Sequence, residues 1–164
     1  MEGQRYAGVL TVIPKDDLKK EFRMDMLKKI LAPTDFSDLS ARGVRYACQL
    51  AKDVEAEVTI FHVVIVDESG INKREVEEHK QRLDEFVAKS VADVGANLRI
   101  RKLVDAGQAY VAIVDCAENE RIDLIVMSSH GRSGLSRMLI GSVTDKVLRG
   151  APCPILVVPL EKEN

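Results

Sequence analysis

Residues 124–148 read LIVMSSHGRSGLSRMLIGSVTDKVL. The apolar run 124–127 predicts a buried β-strand, and the segment that begins at Ser142 predicts the first turns of a helix. A glycine-bearing loop joins the two. Proteins of the α/β class build phosphate sites in this way, because backbone N–H groups converge where glycine lets the chain bend and the helix N-terminus adds a partial positive charge. The pattern therefore predicts an α/β fold and an anionic ligand such as a nucleotide.

Length and composition are those of one globular domain. The chain has 164 residues, of which 46% are apolar and 30% charged. The net charge of −2 gives no bulk attraction to nucleic acids or anionic membranes, and a 4% aromatic content without tryptophan offers no stacking platform for bases. We predict neither a nucleic acid nor a membrane as partner. Residues 128–150 nevertheless carry four basic residues against one acidic residue, which favours an anionic ligand there or a solvated helix face.

The cysteines and the N-terminus bear on the cellular compartment. Cys48, Cys116 and Cys153 are an odd number without metal-ligand spacing, and they predict free thiols in a reducing environment. The apolar run 6–13 is followed by proline and charged residues instead of small cleavage-site residues, so it does not predict an export signal. No apolar stretch approaches the length needed to cross a bilayer. The predicted location is cytoplasmic.

Strand-like and helix-like patterns alternate along most of the chain. The predicted strands cover residues 27–32, 58–66, 98–104, 124–128 and 155–158. The predicted helices cover residues 39–52, 73–94, 108–119 and 142–149. Five strands that alternate with four helices predict a single-domain α/β protein, with an open, mainly parallel five-stranded sheet and helices on both faces.

The predicted strands differ in how well they are protected. Residues 58–66 and 124–127 are almost entirely apolar, as expected for strands covered on both faces. Residues 98–104 are interrupted by charges, which suits a sheet edge. The last strand, Ile155–Val158, carries no charge, although the order of elements places it at the other edge. Because a bare edge invites pairing, the sequence predicts a homodimer joined through Ile155–Val158.

Residues 1–25 stand apart from this alternation. They hold five basic and five acidic residues around one short β-prone run. Three interpretations stay open: an additional edge strand, an arm that reaches a second copy, or a loosely attached leader, of which the leader is favoured. The predicted organisation is an extension over residues 1–25, a nucleotide-binding domain over residues 26–160 and a tail over residues 161–164.

Two strand ends carry the residues predicted to bind a ligand, because ligands collect beyond the carboxyl ends of parallel strands. Asp35 follows the first strand, where its carboxylate can accept hydrogen bonds from ribose hydroxyls or hold a metal-bound water. Alternatively, the carboxylate has only a structural role, in which it stabilises the N-terminus of the next helix. In the glycine loop, Gly131 and Gly141 allow close approach of the backbone to phosphate. Ser142 offers an N–H and a hydroxyl, and it also predicts a capping box with Asp145 that needs no ligand.

The histidines and the known catalytic motifs predict no catalytic residue. His62 alternates with apolar strand residues and predicts a buried histidine with satisfied hydrogen bonds, whereas His79 stands among charged residues and predicts a solvated helix face. His130 follows Ser129 in an extended segment, so their side chains point to opposite sides. The sequence contains no nucleophile elbow, no phosphate-binding Gly-Lys loop, no dinucleotide fingerprint and no metal-ligand cluster.

With both strand ends placed, residues 26–160 resemble the universal stress protein family. The matching pieces are KKILAPTDFS at residues 28–37, FHV at residues 61–63, and residues 124–158. The match therefore covers nearly everything except the N-terminal extension and the last few residues.

The glycine loop carries the most specific part of this resemblance. Members of the family that bind ATP have Gly-x-x-Gly, nine residues, and then Gly-Ser or Gly-Thr. Here Gly131, residues 132–140 and the pair Gly141 and Ser142 fit that spacing. Ser128 replaces the first glycine of the motif, which carries a penalty if that position requires a positive φ.

The resemblance implies a flavodoxin-like sheet, also described as adenine nucleotide alpha hydrolase-like, with strand order 3-2-1-4-5 and a dimer joined along the last strand. It implies that ATP, ADP or AMP binds at the first and fourth strands. In this arrangement Val63 and Met127 border the adenine, and Asp35 with Ser128 holds the ribose. The residues implied to shape the wall or to cradle the phosphates are Pro33, Thr34, Gly131, Gly141, Ser142, Val143 and Thr144.

Three functions compete at this point. The preferred one is an adenine-nucleotide-binding regulatory protein of the stress response, a homodimer with little or no turnover, because nothing in the sequence resembles a positioned base, nucleophile or transition-state clamp. The second is a slow Mg²⁺-dependent ATPase, in which Asp35 positions the metal and a water. The third is a dimeric interaction module without nucleotide, since Ser128 departs from the motif.

Overall fold

Every predicted strand and helix is present, and one further strand precedes them. The computed structural model describes residues 10–12, 26–66, 70, 73–94, 97–129 and 140–159. The strands are β1 (Leu10–Val12), β2 (Lys29–Thr34), β3 (Glu57–Ile65), β4 (Arg99–Gly107), β5 (Leu124–Ser128) and β6 (Ile155–Val158). The helices are α1 (Asp38–Val54), α2 (Lys73–Ser90), α3 (Ala109–Asn119) and α4 (Ser142–Gly150). Within these described ranges, no helix is both long and apolar enough to cross a bilayer.

Most element ends lie within one or two residues of the prediction, and the two larger differences arise from packing. Helix α2 ends at Ser90, because Val91 and Val94 leave the helix as a turn and are buried in the core. Strand β4 continues to Gly107, since its parallel partner β3 continues to Ile65 and the two residues are paired. Both changes depend on neighbours that are distant in sequence.

All six strands join one sheet in the order β1-β6-β5-β2-β3-β4. The five strands from β2 to β6 are parallel to their neighbours, and their arrangement is the expected order 3-2-1-4-5. The chain moves outward from β2 through β3 to β4 and then resumes on the other side of β2 with β5. A crevice therefore opens at the carboxyl ends of β2 and β5, where ligands bind in folds of this kind.

Alternate residues of the strands face two helical layers. Helices α1 and α2 cover one face of the sheet, whose buried strand residues include Ile30, Ala32, Val58, Ile60, Leu124 and Val126. Helices α3 and α4 cover the opposite face, whose buried strand residues include Leu31, Phe61, Val63, Ile125, Met127, Ile155 and Val157. Strands β3 and β5 lie in the interior of the sheet and β4 lies at an edge with exposed charges, as predicted.

The prediction that Ile155–Val158 is an uncovered edge is wrong. Strand β1 pairs with β6 in the antiparallel sense, with Leu10 opposite Val157 and Val12 opposite Ile155. An edge strand offers unpaired N–H and C=O groups, and the β-prone run of the extension satisfies them. Residues 10–12 thus form the additional edge strand rather than the favoured leader, and the remainder of the extension lies outside the described residues.

Candidate functional site

A cavity of about 570 Å³ opens at the carboxyl ends of β2, β3 and β5. It is lined by ten of the residues that the sequence singled out: Pro33, Thr34, Asp35, Val63, Met127, Ser128, Gly141, Ser142, Val143 and Thr144. Gly131 belongs to the same set but lies outside the described residues, as does His130. The fold thus brings together side chains from four segments that are far apart in the chain.

One wall of the cavity is apolar and was only partly anticipated. Val63 and Met127 are buried on the face covered by α3 and α4. Ala109 and Ile113, from the first turns of α3, line the cavity beside them, although the sequence did not single them out. Their position at the start of a helix could have revealed them, because a helix that follows a parallel strand begins at the carboxyl edge of the sheet, where the cavity lies.

Asp35 takes part in the turn between β2 and α1. Its Oδ1 accepts hydrogen bonds from the N–H of Ser37 at 3.1 Å and from the Ser37 hydroxyl at 2.5 Å. Ser37 is the N-cap of α1, and its Oγ accepts the N–H of Ser40 at 3.2 Å. The helix-starting role considered for Asp35 is therefore present, and the carboxylate also lines the cavity.

Phe36, which follows Asp35, has a left-handed backbone with a φ of 66°. An L residue rarely adopts this conformation, so the surroundings must stabilise it. The Phe36 ring stacks on His62 with 4.0 Å between centroids, and the guanidinium carbon of Arg82 lies 4.6 Å from its ring centre. The Phe36 N–H also donates to Thr34 Oγ1 at 3.0 Å. These contacts fix the turn that presents Asp35.

Two histidines form a pair in the wall of the cavity. His62 is 4% exposed, and its Nδ1 lies 2.8 Å from the Thr34 carbonyl oxygen. Its Nε2 lies 2.8 Å from Nδ1 of His79, and the two rings stack with 4.9 Å between centroids. The prediction of a satisfied histidine at position 62 is confirmed. The prediction of a solvated His79 is wrong, because the way α2 packs turns this side chain towards the sheet.

The start of α4 differs from the predicted capping box. The N-cap is Gly141, which makes no side-chain capping bond, and Ser142 is the first helical residue. Asp145 pairs instead with Arg149, one turn later, at 3.1 Å. The Gly141 N–H donates to the Ser129 carbonyl at 2.8 Å, which sets where the helix begins. The N–H groups of the first turn have no intrahelical acceptor and carry the positive end of the helix dipole, and this turn borders the cavity.

The pattern of the Universal stress protein family matches residues 26–159. The chain belongs to the universal stress protein family. One member, universal stress protein MJ0531 of Methanocaldococcus jannaschii, is 35% identical over an alignment of 150 residues that covers 85% of this chain and 86% of that relative. The resemblance read from the strand ends is thereby confirmed.

Solved structures of other universal stress proteins share the fold. A universal stress protein in complex with cAMP has a TM-score of 0.66 and 22% identity over 82% of this chain and 98% of its own. The universal stress protein from Archaeoglobus fulgidus in complex with dAMP has a TM-score of 0.60 and 19% identity over 80% of this chain and 96% of its own. At such identities the likeness concerns the fold alone.

Ser128, interpreted from the sequence as replacing the first glycine of the universal stress protein motif, lies at the end of β5 without backbone strain. The described non-glycine residues with a positive φ do not include it, so the expected penalty for serine does not arise. Its carbonyl accepts the Thr144 hydroxyl at 3.1 Å, which ties the end of β5 to the first turn of α4. The two segments that frame the cavity are thus joined directly.

Gly43, in the first half of α1, is a further residue that shapes the site of this universal stress protein and that the sequence did not single out. A Cβ at this position would lie 3.1 Å from the backbone nitrogen of Ser128 and 3.4 Å from the carbonyl carbon of Met127. Glycine therefore lets α1 approach the end of β5 closely. A lone glycine within a helical pattern was the available signal, because it costs helix stability unless packing requires it.

Proposed function

We propose that this chain binds an adenine nucleotide in the cavity at the ends of β2, β3 and β5, as a regulatory protein of the stress response. The observation that carries this proposal is the shared cavity. A carboxylate, an apolar wall and the uncapped first turn of a helix border one space of about 570 Å³. That volume falls within the usual range for small-molecule sites.

Each part of the nucleotide has a matching part of the cavity. The apolar side chains of Val63 and Met127 suit the faces of an adenine ring. Asp35 suits the ribose hydroxyls, because an ionised carboxylate only accepts hydrogen bonds. The first turn of α4, from Ser142 to Thr144, suits phosphate, since helix N-termini bind anions. We assign Pro33 and Thr34 to the wall, Ser128 to the ribose, and Gly131, Gly141 and Val143 to the phosphate end.

The comparisons support the ligand class. Two proteins of the same fold and family are described in complexes with cAMP and dAMP, and both ligands contain adenine and a phosphate. ATP, ADP and AMP share these groups. We propose that one of them is the working ligand here.

The chemistry around the cavity favours binding over turnover. The ionisable side chains among the described lining residues are Asp35, His62, Glu75 and His79. Both histidines and Asp35 already hold hydrogen bonds inside the protein, and the described lining includes no lysine or arginine to stabilise a transition state. We therefore propose little or no hydrolysis. The nucleotide acts by favouring one conformation over another.

We further propose that the protein works as a homodimer in the cytoplasm. The uncharged strand β6 supports pairing between two copies, although β1 occupies its outer edge in the single chain. The three cysteines are buried and not joined in disulfides, which supports a reducing compartment.

Calorimetric titration of the full chain with AMP, ADP, ATP and cAMP tests the proposed site. Asp35→Asn removes the negative charge and replaces one carboxylate oxygen by an NH₂ group, so the side chain accepts fewer hydrogen bonds from the ribose hydroxyls. We expect the dissociation constant of the nucleotide to rise roughly 10- to 100-fold. Asp115→Asn is the matched control, because this exposed carboxylate on α3 does not line the cavity. Unchanged affinity in the first variant, or an equal loss in both, contradicts the assignment of Asp35.

Phosphate release measured with ATP and Mg²⁺ separates this proposal from slow hydrolysis. We expect release at the background rate in both the unmodified chain and Asp35→Asn. Steady release that disappears in the variant would replace the regulatory proposal by a slow ATPase in which Asp35 positions the metal and a water. If none of the four nucleotides binds, the result would favour the third function, a dimeric interaction module without nucleotide.

A further inference from the structure

The two edges of the sheet are protected in different ways. At one edge, β4 exposes Arg101 and Lys102, which pair with Glu120 and Asp84 and place charges along the strand. Charged side chains on an edge discourage another strand from adding to it. At the other side, β6 has no charged residue. There, protection comes from β1, which is the terminal strand of the sheet.

The cover that β1 provides is small. It consists of three residue pairs, whereas the other edge of β6 is paired with β5 along the whole strand. Strand β6 itself is firmly placed, since Ile155, Val157 and Val158 are buried in the core. If β1 departs, β6 therefore remains in position and presents a straight row of unpaired N–H and C=O groups.

The number of residues between β1 and β2 exceeds what the distance between the two strands requires. Val12 lies opposite Ile155 at the start of β6, the same end of the sheet at which β2 begins. Two strands lie between β1 and β2, so the gap is about 14 Å at the usual strand spacing. Residues 13–28 can span roughly 50 Å when extended. Chain length allows β1 to leave the edge without disturbing β2.

We propose that β1 is a displaceable cover, and that its release lets β6 pair with β6 of a second copy. The inference rests on the homodimer proposed above and adds what controls it. A two-fold axis brings identical strands together in the antiparallel sense, which is the orientation that β1 adopts on β6. The edge accepts one strand at a time. The extension and the second copy therefore compete for the same backbone groups.

A disulfide tests the covered state in the full chain. Thr11 and Leu156 are directly opposite, at the separation of about 4.5–5.5 Å that antiparallel pairing gives and a disulfide accepts. We expect oxidised Thr11→Cys/Leu156→Cys to be monomeric at every concentration in analytical ultracentrifugation, and to recover dimerisation when reduced. The single variants Thr11→Cys and Leu156→Cys are the controls, since each carries one change and cannot lock β1.

Two prolines test the released state. The N–H groups of neighbouring strand residues point to opposite edges, so Leu10→Pro/Thr11→Pro removes a ladder N–H whichever residue faces β6. Leu10→Val/Thr11→Val is the matched control, because both valines favour a strand. We expect the apparent dimer dissociation constant of the proline variant to fall about tenfold or more. In the unmodified chain only the molecules whose β1 has left β6 can pair, which lowers the apparent affinity, and in the variant this restriction is removed. The valine variant should match the unmodified chain.

The outcomes distinguish a failure of the proposed displaceable cover from a failure of the proposed homodimer. A locked chain that dimerises as the reduced form does would overturn the cover, and so would equal dimerisation of the proline and valine variants. An intermolecular disulfide on a non-reducing gel would also overturn it, because β1 would then be exchanged between copies. If the unmodified chain and the proline variant are both monomeric at every concentration, the homodimer itself fails.

Discussion

Nε2 of His62 lies 2.8 Å from Nδ1 of His79, so strand β3 and helix α2 share a hydrogen bond in the wall of the cavity. When both rings are neutral, the partners indicate which nitrogen donates. Nδ1 of His62 must donate, because its partner at 2.8 Å is the Thr34 carbonyl oxygen. Nε2 of neutral His62 is then the acceptor, and Nδ1 of His79 is the donor.

We therefore expect His79 to stabilise the protein through this hydrogen bond. His79→Ala should lower the free energy of unfolding by about 1 kcal/mol or more, because the buried Nε2 of His62 loses its partner. His79→Asn should lose less, since the amide can still donate a hydrogen bond. Urea unfolding at pH 7.5 measures both variants. Equal losses in the two variants, or no loss in either, would contradict the assigned hydrogen bond.

The two serines at helix starts should differ in their effect on stability. Ser37 caps α1 and also donates to Asp35, so Ser37→Ala should lower the free energy of unfolding by about 1 kcal/mol. Ser142 is the first helical residue and caps nothing, so Ser142→Ala should change it by less than about 0.5 kcal/mol. Urea denaturation without nucleotide measures both. An equal loss in the two variants would mean that Ser142 acts as a cap in solution.

Gly43→Ala should destabilise the protein although alanine favours helices. The added Cβ would meet the backbone of Ser128 at 3.1 Å, and a β-strand in the core cannot move without disturbing its neighbours. We expect the free energy of unfolding to fall by about 1 kcal/mol in total, because the steric cost exceeds the gain in helix propensity, which is itself about 1 kcal/mol. Gly150→Ala is the control, because its Cβ would meet only Val114 Cγ2 at 3.6 Å. Thermal unfolding compares them, and a Gly43→Ala protein as stable as the control would show that α1 has room.

Buried thiols should make stability fall at alkaline pH. Burial raises the pKa of Cys48 and of Cys116 to about 11. From about pH 8.5 upward the unfolded chain loses these protons while the folded chain keeps them, so the stabilisation is complete below pH 8.5 and is lost towards pH 11. Cys48→Ala should lessen this loss. Urea unfolding at pH 7.5 and pH 10 gives the comparison, and an unchanged loss in the variant would contradict it.

The same burial should protect both thiols from alkylation. Iodoacetamide reacts with thiolates, which are scarce at pH 8 when the pKa is about 11. Mass spectrometry after labelling should find Cys48 and Cys116 unmodified in the folded protein and modified in urea. Rapid labelling of the folded chain at either site would mean that the helices open locally.

His79 and Ser142 show why part of the site was out of reach of sequence reasoning. The charged neighbours of His79 suggested solvent, yet Leu83 is four residues further along the helix and is buried, which places His79 on the inward face. That spacing was the available signal. Ser142 met every local rule for a cap, but the N-cap is Gly141, whose N–H donates to the Ser129 carbonyl, and Ser142 is the first helical residue. Only a partner on another segment could decide this.

The sequence by itself determined the alternation of strands and helices, the family and most of the residues that border the cavity, because periodicity, glycines and strand-end polar residues are local features. The tertiary structure alone decided that β1 covers β6, that Phe36 is held in a left-handed conformation and that two histidines share a hydrogen bond. Each of these depends on groups brought together by packing, such as Leu10 with Val157 or His62 with His79. Their energies arise from long-range contacts that no local pattern encodes.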